Sequence, residues 1–148
     1  MSHPSATPRE LVPGTTFEGP SKTLNDTHFV LFSAITGDVH PIHYDVEYAS
    51  QTRFGKPLAH GLLLASMTAL GASTARDQIE GLVFVEQGCN FLSPAVVGDT
   101  IRPRMVFEKR WQEGHRIFYR FTTSLLNQRG EALLEGFQVY RAFENSGN

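Results

Sequence analysis

One cysteine, Cys89, stands in a chain of 148 residues, which excludes an intrachain disulfide and a cysteine-built zinc site. Charge of neither sign dominates: 13 Lys and Arg face 15 Asp and Glu, for a formal net charge of -2. Nucleic-acid binding has no basic footprint in such a balance, and no Lys/Arg block is present to meet a membrane surface. Long apolar runs are also missing. None approaches the ~20 residues that span a bilayer, and residues 1–14 carry neither the basic cluster nor the apolar stretch of a secretory leader. A soluble, cytoplasmic protein with no nucleic-acid or membrane partner is therefore expected.

What the chain does have is an ordinary globular make-up, with 41% hydrophobic and 19% charged residues. That is enough for one hydrophobic core and leaves little room for a second. No internal repeat or low-complexity segment interrupts it. The expected organisation is a loose arm over residues 1–14, one domain over residues 15–143, and a short tail over residues 144–148.

Residues 15–24 carry β-branched and aromatic side chains, interrupted by Gly19 and Pro20, and predict a broken strand. Asp26 can N-cap a helix whose apolar stripe runs through Phe29, Val30, Phe32, Ser33 and Ile35 until Gly37 ends it. A short helix is predicted near Val46 to Thr52. From His60 to about Arg76 the chain is apolar nearly all round, which predicts a long buried helix. Its small residues Gly61, Ala65, Ala69, Gly71 and Ala72 suit close approach of a sheet. Four strands are then predicted, at residues 81–93, 100–111, 116–127 and 131–143, joined by turn-forming segments that imply an antiparallel meander.

The most informative stretch is Phe32 to His43, FSAITGDVHPIH. Gly37 admits backbone angles that other residues avoid, and Pro41 fixes its own φ and drives His40 toward an extended conformation. The segment is therefore a stiff, shaped loop that presents Asp38 and His43 together. A carboxylate and an imidazole so placed can bind, orient and deprotonate one water molecule, since near neutral pH a carboxylate is ionised and an imidazole readily gains or loses a proton. Asp38, His40, His43 and Asp45 also form a dense ligand-like cluster. Their spacing lacks the helical His-Glu-x-x-His arrangement, and Pro41 excludes that helix, so no metal is expected.

The string Thr36-Gly37-Asp38-Val39-His40-Pro41-Ile42-His43 resembles the signature of the MaoC-like dehydratases and (R)-specific enoyl-CoA hydratases. Two further motifs resemble the family in order and spacing: His60-Gly61-Leu62-Leu63-Leu64-Ala65-Ser66, and Phe91-Leu92-Ser93-Pro94 followed by Val97-Gly98-Asp99-Thr100-Ile101. The resemblance implies an α+β hotdog fold, an antiparallel sheet wrapped around one long central helix, with an overhanging segment before that helix. It implies a homodimer or higher homo-oligomer that acts on an acyl-CoA thioester. The reaction implied is reversible hydration of a trans-2-enoyl-CoA to a (3R)-3-hydroxyacyl-CoA, with no cofactor, since CoA is part of the substrate.

By the same resemblance, Asp38 and His43 are the catalytic pair, and Gly61 offers the backbone N–H that holds the thioester oxygen. His40, Pro41, Ile42 and His60 are expected to line or support the site. Two positions depart from the family pattern: His40 stands where Asn is usual, and Ala69 stands where some relatives carry a supporting Ser. Arg53, Lys56 and Arg76 are weaker candidates for contacts with CoA phosphates. Two other functions fit the same fold, a thioesterase directing water at the thioester carbon and a non-catalytic acyl-CoA-binding module. The paired Asp38 and His43 ahead of the helix favour attack at C3.

Overall fold

The computed structural model describes residues 11–69 and 81–143. Most of the N-terminal arm, the C-terminal tail and the later part of the long helix expected up to Arg76 lie outside the described residues. Two short strands, β1 (Thr16–Glu18) and β2 (Lys22–Thr23), come first, parted at Gly19 and Pro20 as the sequence predicts. Helix α1 (Asp26–Thr36), a 3-10 turn (Pro41–His43) and helix α2 (Val46–Ser50) make the overhanging segment. Helix α3 (Gly61–Ser66) precedes four long strands, β3 (Leu82–Phe91), β4 (Thr100–Glu113), β5 (Arg116–Leu126) and β6 (Ala132–Ala142).

The sheet order is β1-β4-β5-β6-β3, with β2 also paired to β4, and every pairing is antiparallel. β4, β5 and β6 form the expected meander. β3 does not pair with β4, as a simple meander of all four strands would require; it pairs with β6 at the opposite edge. The connection over residues 92–99 crosses under the ends of β6 and β5. Three strand spacings of about 4.8 Å lie well within the reach of eight extended residues. The segment before α3 pins this crossing: Ala59 N–H donates to the Ala95 carbonyl at 2.8 Å, and Val97 N–H to the Pro57 carbonyl at 3.0 Å.

α3 lays Leu63, Leu64 and Ala65 on the sheet, in a cluster with Leu24, Phe29, Ile101, Leu125, Leu133 and Leu134. Full burial of one such leucine contributes roughly 1.5–3 kcal/mol, so this face anchors the helix. A second cluster of Phe17, Met105, Phe107, Tyr119, Phe121 and Tyr140 fills the far end of the sheet. Alternation along β5 buries Tyr119, Phe121, Thr123 and Leu125, as period-2 patterning requires.

Three local expectations are corrected. The N-cap of α1 is Asn25, not Asp26: its side chain accepts from His28 N–H, and His28 Nδ1 accepts from Asn25 N–H. The buried face of α1 is Phe29, Phe32 and Ser33, whereas Val30 and Ile35 point outward. α3 is not buried all round, because its apolar residues meet the sheet on one side only. Leu62 is 70% exposed and Ser66 is also open to solvent, and the helix gives way to a turn at Met67 and Thr68.

Candidate active site

α1 ends because Gly37 adopts the left-handed conformation, φ 78°, with its N–H on the Ser33 carbonyl at 2.8 Å. A residue with a side chain is strained at that φ, so glycine is what lets the chain turn sharply into Asp38. Pro41 then opens the 3-10 turn, and His40 caps it, its Nδ1 accepting from Ile42 N–H at 3.2 Å. Ile42 in turn accepts from Leu58 N–H at 3.0 Å, which ties the loop to the strand-like segment before α3.

This loop brings together what the sequence had five positions apart. His43 Nε2 lies 3.7 Å from Asp38 Oδ2, with the His43 side chain 11% exposed and that of Asp38 53% exposed. The gap is too long for a direct hydrogen bond, yet one water molecule can touch both groups at the open side. On its other edge His43 Nδ1 donates to the Leu58 carbonyl at 2.7 Å. A carbonyl can only accept, so Nδ1 carries the proton and, in the neutral ring, Nε2 is a bare acceptor facing the carboxylate.

His60, 2% exposed, stacks face to face on His43, with ring centroids 3.6 Å apart and planes 18° from parallel. Its Nε2 lies 3.0 Å from Ser33 Oγ and 3.3 Å from the Asp38 carbonyl. Its Nδ1 is buried without a hydrogen-bond partner among the described residues. Burial first, and then the proximity of His43, lower its pKa from the ordinary 6.5, against the opposing pull of the Asp38 carbonyl and carboxylate.

Because the unfolded chain binds this proton more readily, the associated stability is present above about pH 6.5 and is lost as pH falls toward the folded value. The slope contributed cannot exceed about 1.4 kcal/mol per pH unit. Urea midpoints measured from about pH 7.5 down to 5.5 should fall, and His60→Gln should flatten that dependence. An unchanged pH dependence in the variant would mean that His60 is not the group responsible.

Gly61 opens α3, so its N–H has no intrahelical acceptor. A Cβ at that position would lie 3.3 Å from Phe91 Cζ, so the glycine also serves close packing. His40 meets His43 and Tyr48 edge-on, at 6.3 and 5.6 Å between centroids. Ala69 is exposed beside a shallow cleft lined by Pro20, Lys22 and Met67. The nearby hydroxyls of Ser66 and Thr68 donate to the Leu63 and Ala65 carbonyls instead. Arg53 and Lys56 are exposed, and Arg76 lies outside the described residues.

Sequence reasoning missed Ser33, read only as part of an apolar stripe. A lone hydroxyl on the inner face of α1, one turn from Phe29, was the available signal. It also missed the Leu58 carbonyl, which no side-chain pattern can disclose. Asp38, His43 and His60 could by proximity be taken for a metal cluster. Stacked rings hold their in-plane nitrogen lone pairs in parallel planes, and His60 Nε2 is already engaged, so their lone pairs do not converge on one point.

A family profile described as the MaoC like domain matches residues 9–127. The chain belongs to this family. Among its relatives, a 3-hydroxybutyryl-CoA dehydratase of Methylorubrum extorquens is 32% identical over 117 residues, covering 77% of this chain and 74% of the relative. An (R)-specific enoyl-CoA hydratase of Rhodospirillum rubrum is 28% identical over 116 residues, covering 78% of each chain. The solved structure of the R-hydratase PhaJ1 from Pseudomonas aeruginosa, unliganded, superposes with a TM-score of 0.80 at 26% identity, covering 92% of this chain and 84% of that one. The MaoC-like chain has their hotdog fold and is a carbon–oxygen lyase of the hydratase/dehydratase kind.

Proposed function

We propose that this MaoC-like protein reversibly adds water to a trans-2-enoyl-CoA, giving a (3R)-3-hydroxyacyl-CoA. The observation that carries the reading is the bare Nε2 of His43 held 3.7 Å from the half-exposed Asp38 carboxylate. Names and similarity of the relatives support the substrate class.

In the hydration direction, water held by the pair attacks C3, and its proton passes to Asp38 or to His43 Nε2. Electrons of the C2–C3 double bond move to the thioester oxygen as an enolate, which the Gly61 N–H meets. Collapse of the enolate takes one proton back to C2 from the pair, which ends the cycle as it began. Since neutral His43 carries its proton on Nδ1, Nε2 can serve C2 only after it has accepted one. His40, Pro41, Ile42 and His60 shape and brace the loop that holds the pair.

Loss of enoyl-thioester absorbance with crotonyl-CoA tests this directly, and a thiol reagent follows free CoA in the same mixture. Absorbance loss without CoA release is the expected result. CoA release with the double bond intact would establish a thioesterase instead, and binding without turnover a non-catalytic module.

The same reading includes a homodimer. The outer edge of β3 pairs with no other described strand, and Phe84, Val85, Phe91 and Leu92 are exposed on or beside it, with Leu62 on α3. An open apolar edge of this kind invites a twin strand. Light scattering should give at least twice the chain mass of 16.5 kDa; a monomer would remove this part of the proposal.

A further inference from the structure

We propose that Ser33 and His60 form a positioning pair for His43: Ser33 holds the His60 ring, and the face of that ring fixes the plane in which His43 Nε2 meets the Asp38 carboxylate and the attacking water. The inference rests on reading Asp38 and His43 as the catalytic pair.

Among the described residues His43 itself is held at its polar edge by one hydrogen bond, Nδ1–H to the Leu58 carbonyl. One such bond leaves an imidazole free to tilt, and a tilt moves Nε2 away from the water it must meet. The flat face of His60 at 3.6 Å blocks that tilt on one side. His60 is well suited to the task because it cannot move. Phe29 and Phe32 pack its edges at 6.4 and 5.0 Å between centroids, and Nε2 is fixed by Ser33 Oγ and the Asp38 carbonyl. It therefore touches both members of the pair, the ring of one and the backbone of the other.

The ordinary employment of a residue at this place in the chain is absent. His60 is the N-cap of α3, yet its side chain makes no capping hydrogen bond to that helix. Its Nδ1 is buried and unpartnered, which disfavours folding and offers the helix nothing. An aliphatic residue would fill the space without that burden. Ser33 likewise spends its only hydroxyl on this ring, while its carbonyl caps α1 through Gly37.

The charge state also suits the role. The ionisable groups facing His60 from the described elements are Asp38 and His43; Ser33, Phe29 and Phe32, which also meet it, carry no charge. Kept neutral by burial, the ring adds no repulsion when His43 takes up a proton, and its electron-rich face favours that cation.

Steady-state kinetics of Ser33→Ala, His60→Ala and the double variant on crotonyl-CoA test the proposal, with thermal melts to confirm folding. His60→Ala should lower kcat by about 10–100-fold with KM little changed, as loss of a supporting contact does. Ser33→Ala should fall in the same direction by less. The double variant should be no slower than His60→Ala alone, because Ser33 acts through His60. His60→Gln, which can keep polar contacts at the Nε2 position without a ring, should be as slow as His60→Ala. Losses that multiply in the double variant, or near-normal kcat in His60→Gln, would overturn the proposal.

A readout on the resting protein keeps the two questions apart. Among the described residues no hydrogen bond joins Ser33 to His43, and the Ser33 hydroxyl bonds the His60 ring, so displacement of the His43 imidazole 1H–15N signals by Ser33→Ala shows coupling through His60. Unmoved signals would overturn the pairing. If the wild-type enzyme turned over no enoyl thioester, the reaction reading would fail while these signals still decided the positioning role.

Discussion

Asp38→Asn and His43→Ala should each lower kcat/KM for crotonyl-CoA hydration by about 10²–10⁴-fold, the range for loss of one general acid–base group. Asp38→Asn keeps the shape of the side chain while removing its charge and its ability to take a proton. Over half of that side chain is open to solvent, so the fold should survive the change. His43→Ala removes Nε2 and also strands the Leu58 carbonyl, so some loss of stability will accompany the loss of rate. The double variant should be little worse than the slower single one, because in the proposed reaction the two groups share one water molecule and act as a unit. Enoyl absorbance measures the rate, and circular dichroism at the assay temperature checks the fold. Activity within about tenfold of wild type in both variants, outside that range, would move the chemistry elsewhere.

Gly136→Ala should be among the most damaging single-methyl changes available in this chain. Gly136 of β6 stands opposite Cys89 of β3. A Cβ there would collide with the Gly88 carbonyl oxygen and with Cys89. Backbone atoms cannot swing aside as a long side chain can, so β3 and β6 must part locally. Overpacking of this kind costs about 1–3 kcal/mol, which in a chain of this size lowers Tm by about 2–12 °C. The damage should also reach the site. β3 ends at Phe91, whose ring packs on Gly61, and the chain beyond it supplies the Ala95 carbonyl that receives Ala59 N–H just before His60. Calorimetry measures the stability, and the rate on crotonyl-CoA measures the coupling to the site. A variant as stable as wild type would show that the β3–β6 contact relaxes more easily than its geometry indicates.

Local rules carried much of the reading. Gly19 and Pro20 break β1 from β2, Gly37 stops α1, and Pro41 forces a stiff turn, because each acts through φ or a missing N–H within its own few residues. Strand positions followed from alternation and turn residues, which are also local. Asp38, His43 and Gly61 were legible as candidates because residue types of known chemistry sit in a motif of fixed spacing. His60 was legible as a residue of interest, but not its face-to-face stack on His43. Ser33 was hidden because a serine at one turn's spacing from phenylalanines looks like a gap in an apolar stripe.

By itself, then, the sequence determined roughly where most strands and turns lie, which loop carries the candidate site, and which family the chain resembles. Only the tertiary structure decided that β3 crosses to the far edge, since pairing depends on contacts between residues distant in the chain. The outward turn of Val30, Ile35 and Leu62 was also decided there, because an apolar side chain does not specify which surface will cover it. So was the tautomer of His43, which rests on the Leu58 carbonyl, a backbone group every residue carries and no pattern marks. Backbone partners and ring stacks are properties of three-dimensional proximity, and proximity is what the fold adds to the sequence.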